Sequence, residues 1–225
     1  MRWQNSAPLL PEFSLSFHSP SFLALVASYL LGSLSFAVIV SKALGIADPR
    51  SYGSKNPGAT NVLRSGNKGA ALVTLLLDGL KGWLPVVLVH RFGADFGLDS
   101  GLAAVAGLAA FLGHLYPVFF GFQGGKGVAT AAGALLGIDW LLGLATGTSW
   151  VIIAFFFRYS SLASLIAAFF APAYYVLGGR IAWTLNRTVL VAIIVMSLLL
   201  IWRHRENLRR LAAGTESRLG SPKKG

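Results

Sequence analysis

The chain contains no cysteine, so disulfide frameworks, thiolate catalysis, iron–sulfur clusters and zinc ribbons are excluded together. Charge is also scarce: Asp, Glu, Lys and Arg make up 12% of the 225 residues, too little to wet the surface of an ordinary soluble domain. Acid is scarcer still, with 8 Asp and Glu against 19 Lys and Arg, for a formal charge of +11. Histidine occurs only at His18, His90, His114 and His204, with no His-x-x-x-His pair or carboxylate cluster, so no metal site and no cofactor are implied. What is plentiful is apolar surface, 55% of the residues, together with 26 glycines. These proportions predict an all-α membrane protein. The basic excess does not point to nucleic acid, because the cations punctuate long apolar runs instead of clustering on a hydrated face.

Seven apolar runs are candidate spans: residues 22–40, 70–90, 98–119, 128–144, 149–157, 162–177 and 188–202. The first is longer than the apolar core of a signal peptide and lacks a small-x-small cleavage site after it, so it is expected to stay as a helix. The fourth and fifth runs are short, and the pair flanking Gly147 is open to an alternative as one hairpin that does not fully cross. Basic residues decide the orientation. With the N-terminus outside, Lys42, Arg50, Lys55, Arg64, Lys68, Lys126, Arg158 and the seven cations from Arg203 onward fall inside, leaving Arg2, Arg91, Arg180 and Arg187 outside. The expected architecture is therefore a seven-span helical bundle, N-terminus out and C-terminus cytoplasmic. Residues 1–20 form an exposed outer extension, 21–203 the transmembrane domain and 204–225 a cytoplasmic tail.

Two polar stretches on the inner side have the composition of anion sites. In the first, Ser54, Lys55, Thr60, Asn61 and Arg64 surround Asn56-Pro57-Gly58, a turn former in which Gly58 permits a positive φ. Hydroxyls, an amide and two cations suit a phosphate or carboxylate, although a solvated connecting loop would have a similar composition. In the second, Gly124-Gly125-Lys126-Gly127 opens the fourth run: glycines let backbone N–H groups approach an anion, and a helix N-terminus and Lys126 add positive charge. This is not a nucleotide-binding Walker loop, since Phe120 and Gly127 stand where that pattern requires Gly and Ser or Thr.

Other segments are weaker alone. Arg158 with Ser161 and Ser164 forms a tight inner turn that topology or helix packing would equally explain. In the tail, continuation of the last helix would put His204 and Asn207 on one face and pair Glu206 with Arg210, while Arg205 adds a cation close by. Orientation alone would account for a polybasic run there. Asp78 and Lys81, three residues apart, are expected to form an ion pair within the bilayer. His90 and Asp95 match the His-x4-Asp pattern of glycerolipid acyltransferases, but they lie in an outer loop far from the cationic segments and are set aside as coincidence.

Three long stretches, taken in order, carry a more specific signal. Gly53-Ser54-Lys55-Asn56-Pro57-Gly58-Ala59-Thr60-Asn61-Val62-Leu63-Arg64 is the first. Gly113-His114-Leu115-Tyr116-Pro117-Val118-Phe119 running into Gly124-Gly125-Lys126-Gly127-Val128-Ala129-Thr130 is the second, and residues 204–216, from His204 to Glu216, are the third. In sequence, order and spacing these resemble the signature motifs of the bacterial acyl-phosphate:glycerol-3-phosphate acyltransferases. The resemblance implies transfer of a fatty acyl group from acyl phosphate to the primary hydroxyl of glycerol 3-phosphate, at the cytoplasmic face of the inner membrane, without a cofactor. It further implies a site that includes Ser54, Thr60, Arg64, Lys126, Ser161, His204 and Asn207. Gly58, Asn61, Gly124, Gly125, Gly127, Arg158 and Arg205 are the additional phosphate-binding candidates.

That chemistry agrees with the residues. Two anionic substrates need two neighbouring cradles, and a mixed anhydride with a good leaving group needs charge neutralisation and alignment more than a covalent intermediate. The proton acceptor stays open between His204 and a substrate phosphate. Lys55 and Gln123 depart from the resemblance, standing where related sequences often carry Gly and Lys. The rival class, a transporter of organic anions, is disfavoured because the cations lie on one side and no pair of broken helices recurs in two halves. A scaffold that binds lipid through its basic tail is the third alternative.

Overall fold

The computed structural model describes residues 19–220. Residues 1–18, the bulk of the expected outer extension, therefore lie outside the described residues, while Ser19 and Pro20 already open the first helix. Apart from one isolated bridge between Gly179 and Trp183, the described residues form helices and turns. In chain order the helices are α1 (Ser19–Gly32), α2 (Phe36–Ala43), α3 (Ala59–Leu63), α4 (Lys68–Phe92) and α5 (Ser100–Leu115). They continue with α6 (Val128–Ile138), α7 (Trp140–Phe157), α8 (Ser160–Gly178), α9 (Arg187–Arg203) and α10 (Arg205–Ala212).

The seven apolar runs map onto three kinds of element. Lys68–Phe96, Ser100–Phe120, Trp140–Phe157 and Ser160–Gly178 are long and apolar enough to cross a bilayer. The first run is a bent pair, α1 with α2 at 44°, and the last is α9, which a 55° bend separates from α10. The fourth is the short apolar helix α6. Its expected end at residue 144 is corrected to Ile138, because the Asp139 carboxylate accepts from the N–H groups of Leu141 and Leu142 and so starts a new helix there. Gly147, expected near a hairpin, lies inside α7. The first run also departs from a straight helix, being broken at residues 33–35. Lys81 reaches into that break, donating to the Leu34 carbonyl at 2.6 Å while pairing with Asp78 at 2.8 Å. A charge that would be costly in lipid thus satisfies a carbonyl freed from the helix ladder.

The interior centres on α5, which packs against α1, α4, α6 and α9. Phe111 and Leu115 are fully buried there, whereas Phe155 and Phe156 on α7 are 75% and 73% exposed, the distribution of a bundle facing lipid. Close contact comes through small residues. A Cβ on Gly133 of α6 would overlap the Gly79 carbonyl of α4, and one on Gly82 would overlap the Thr130 carbonyl, so the two backbones meet directly. This contact fixes the N-terminus of α6 beside α4.

Candidate active site

One cavity of about 750 Å³ collects residues from all three long stretches. Ser54, Thr60, Arg64, Lys126, Ser161, His204 and Asn207 all line it. They stand at helix ends: before α4, before α6, at the start of α8 and after α9. Leu75, Leu135, Ala171, Ile193 and Met196, further along the same helices, line the rest of the wall. The cavity therefore has a polar mouth at one end of the bundle and a largely apolar wall, to which Asp78, His114 and Thr146 also contribute.

The first cradle is built on Asn61. Its side-chain Nδ2 donates to the Pro49 and Tyr52 carbonyls at 2.6 and 3.1 Å, and its Oδ1 accepts from the Ser54 N–H at 3.1 Å. With its amide engaged in the loop and only 2% of its surface exposed, Asn61 shapes the cradle and presents Ser54. Gly58 does not take the expected positive φ. It is extended, at φ −163°, because its carbonyl opens α3 by accepting from the Asn61 and Val62 N–H groups. The left-handed positions fall instead at Gly53 and Lys55. Arg64 ends α3 and donates to the Ser217 hydroxyl at 2.6 Å.

The second cradle lies between α5 and α6. Gly127, at φ 80°, turns the chain into α6 against the Phe111 ring, a position no side chain would occupy without strain. Lys126 and Gly127 line the cavity; Gly124 and Gly125 instead press against the C-terminal end of α5. The Lys126 ammonium donates to the Asn207 Oδ1. Burial, reinforced by Arg210, Arg64 and Arg203 against the attraction of Glu216, pushes the Lys126 ammonium down to about 8.

His204 sits at the bend between α9 and α10. Its Nδ1 lies 2.8 Å from the Leu200 carbonyl, which can only accept, so Nδ1 carries the hydrogen and Nε2 keeps its lone pair. Burial and the neighbouring Lys126 push this imidazole down to about 4, so it is neutral at pH 7. Asn207, one turn into α10, passes the connection on: Lys126 donates to its Oδ1, and its Nδ2 donates to Glu216 at 2.6 Å.

Glu216 was not singled out from the sequence as a site residue, although it closes the third stretch. Its carboxylate accepts from Ser161 at 2.7 Å, Asn207 at 2.6 Å and Arg210 at 2.7 Å. Burial pulls this carboxyl up, but the three donors outweigh it and hold it below the usual carboxylate range. The expected Glu206–Arg210 pair is corrected: Glu206 pairs with Arg209 at 3.0 Å, leaving Arg210 for Glu216. The turn at Gly214 returns the chain so that Glu216 meets Arg210.

Three cations proposed from the sequence lie outside the cavity lining, Lys55, Arg158 and Arg205, with Lys55 exposed in a left-handed conformation. Arg205 is exposed and stacks over the Trp202 ring at 4.7 Å. Arg158 is exposed, takes a left-handed conformation at φ 60°, and donates to the Leu219 carbonyl at 3.0 Å, fastening the tail across the turn. His90 and Asp95 are also absent from the lining of the large cavity.

The class these features define is an integral-membrane protein with an amphipathic, cation-lined cavity. A family model for glycerol-3-phosphate acyltransferase matches residues 22–214, and the chain belongs to that family. A glycerol-3-phosphate acyltransferase from Albidiferax ferrireducens is 64% identical over 203 residues, covering 89% of this chain and 91% of the relative. Among solved structures, the glycerol 3-phosphate form of PlsY (YgiH), an integral-membrane glycerol 3-phosphate acyltransferase, aligns with a TM-score of 0.81 at 40% identity, over 89% of this chain and 96% of that one. The lysophosphatidic acid form of PlsY aligns at 0.79 and 39% identity, with the same coverage.

Proposed function

We propose that the protein transfers a fatty acyl group from acyl phosphate to the primary, sn-1, hydroxyl of glycerol 3-phosphate, giving lysophosphatidate and inorganic phosphate. The observation that carries this reading is the cavity itself: Arg64 and Lys126 stand at a polar mouth with a neutral imidazole between the helix ends, above a largely apolar interior suited to an acyl chain. The forms in which PlsY was solved, with glycerol 3-phosphate and with lysophosphatidic acid, support the acceptor and the product.

The chemistry follows from charge and position. Arg64 with Ser54, Thr60 and the Gly58 turn takes one phosphate, and Lys126 with the Gly127 turn takes the other. The acceptor oxygen attacks the acyl carbonyl carbon, the bond between that carbon and the phosphate oxygen breaks, and the electron pair leaves with phosphate. His204 Nε2 receives the hydroxyl proton and returns it to the departing phosphate. Its pKa, about 4, makes it a weak base, so phosphate binding near Lys126 must raise it for this role. Asn207 holds the Lys126 ammonium in place, and Ser161 serves through Glu216. No cofactor enters. Arg158 and Arg205 are assigned to the tail and its surface, not to substrate phosphate.

We assign the seven runs to seven crossings, N-terminus outside and C-terminus cytoplasmic, in the bacterial inner membrane. Lys42, Arg64, Lys126, Arg158 and Arg203 lie at helix ends that this topology puts on the cytoplasmic side, in keeping with the positive-inside rule.

The deciding experiment incubates purified protein with glycerol 3-phosphate and, separately, acyl phosphate, acyl-CoA and acyl carrier protein. Lysophosphatidate from acyl phosphate alone is the expected result. Product from a thioester donor would overturn the donor assignment, and no product from any donor would overturn the whole reading.

A further inference from the structure

Arg203 is not a residue that the sequence marks as part of either cradle, yet it is bonded to one. Its Nη2 donates to the carbonyls of Gly124 at 2.8 Å and Gly125 at 2.9 Å, and its Nε donates to Gly125 again at 3.2 Å. The guanidinium also stands 5.9 Å from the centre of the Tyr116 ring, whose residue is tied to α1 by the Tyr29 hydroxyl at 2.7 Å. Opposite it, the Gly125 N–H donates to the His114 carbonyl at 3.1 Å. The peptide between Gly124 and Gly125 is thus held at both its oxygen and its hydrogen. Side chains are excluded on that side: a Cβ on Gly124 would overlap the His114 and Leu115 carbonyls, and one on Gly125 the His114 ring.

The consequence falls on the next peptide. In a trans peptide the carbonyl and the N–H point in opposite directions, so fixing the Gly125 carbonyl on Arg203 turns the Lys126 N–H away from Arg203. Lys126 and Gly127 line the cavity, whereas Arg203, Gly124 and Gly125 do not. Neither the Lys126 nor the Gly127 N–H donates to a backbone carbonyl among the described residues. We propose that Arg203 is a positioning residue: acting from behind the loop, its guanidinium fork holds two carbonyls so that the following N–H groups face a substrate phosphate. A lysine cannot substitute, because a point charge does not hold two carbonyls in one plane. Arg203 immediately precedes His204, so the same end of α9 sets both the imidazole and the phosphate loop.

This rests on the reading that the loop receives substrate phosphate. The test uses the full-length protein and its R203Q and R203K variants, measuring kcat, the KM for glycerol 3-phosphate and for acyl phosphate, thermal unfolding, and calorimetric binding of inorganic phosphate. In R203Q the KM for one phosphorylated substrate rises at least tenfold while kcat falls less than threefold, and phosphate binding weakens to match. R203K, which keeps charge and bulk, lies between R203Q and wild type. Unchanged KM values and phosphate binding in folded R203Q, or full restoration by lysine, overturn the positioning role. So does a loss confined to kcat or to the folded fraction. If wild type yields no lysophosphatidate yet binds phosphate more tightly than R203Q, the acyltransfer reading fails while the role of Arg203 stands.

Discussion

Lys126 gives the sharpest test of the electrostatics. Burial, with Arg210, Arg64 and Arg203 nearby, pushes its ammonium down to about 8. The free enzyme should therefore hold roughly 90% of its Lys126 charged at pH 7 and roughly 10% at pH 9, following simple titration. Only the charged form serves the cradle, so kcat/KM for the substrate whose phosphate Lys126 holds, glycerol 3-phosphate or acyl phosphate, should fall about tenfold between those pH values. Substrate phosphate has its second pKa near 6 and so adds no alkaline limb. A bound phosphate favours the ammonium, so kcat at saturation should stay level to a higher pH than kcat/KM. The assay is steady-state release of phosphate from acyl phosphate, from pH 6.5 to 9.5, in wild type and K126R, with unfolding followed at each pH. Arginine keeps its charge over this range, so the variant, whatever its absolute rate, should lose the limb near pH 8. A wild-type profile flat from pH 7 to 9, or the same limb in K126R, would refute the assignment.

Three further outcomes follow from the geometry. R64A and K126A should each lower kcat/KM at least tenfold, the effect of losing a charge-assisted contact of about 1.5–3 kcal/mol, while R205A stays within about twofold because Arg205 faces outward over Trp202. E216Q presents an amide nitrogen where three donors converge; it should lower kcat/KM about tenfold or more and lower the melting temperature, and unchanged values in both would remove Glu216 from the site. Because the chain has no cysteine, single replacements report topology without background: S217C should react with an impermeant thiol reagent only in inverted vesicles, and D95C only in right-side-out vesicles or intact spheroplasts, and the reverse pattern would overturn the orientation.

Much of the bundle was legible because lipid-spanning segments must be apolar along their whole length, and the seven runs all became helices. Their interruptions were less visible. The break at residues 33–35 depends on Lys81 from another helix, a partner that periodicity within the first run does not reveal. The turn at Asp139 carried a local signal, an acidic residue bounded by apolar ones, but the surrounding run masked its capping role. The long stretches brought Ser54, Arg64, Lys126, His204 and Asn207 to one cavity. Asn61, a candidate ligand by composition, lines the cavity with its amide engaged in the loop, a placement that composition does not reveal because an amide reads the same whichever way it faces. Arg203 and Arg205 are indistinguishable by sequence alone; the end of α9 turns one toward the glycine loop and the other onto Trp202.

The shortage of acid, seen first as an imbalance of composition, has a role in the site. Away from the cavity, carboxylates are committed to other partners: Asp48 to Arg50, Glu206 to Arg209, and Asp99 and Asp139 to helix N-termini. Of the carboxylates lining the cavity, Asp78 pairs with Lys81, and Glu216 is taken by Arg210, Asn207 and Ser161. Among the cations lining the cavity, Lys126 and Arg64 are left with neutral hydrogen-bond partners, Lys126 with an amide oxygen and Arg64 with a hydroxyl. A hydrogen bond from a cation to a neutral group contributes about 1.5–3 kcal/mol, and phosphate adds the attraction of an opposite charge to the same hydrogen bond, so an incoming phosphate displaces either partner favourably. Had a carboxylate closed on Arg64 or Lys126, substrate would first have to break an ion pair. An amide and a hydroxyl hold the cations in place and still yield to phosphate, which is how a chain with so few acids keeps its positive charge available at the mouth of a largely apolar cavity.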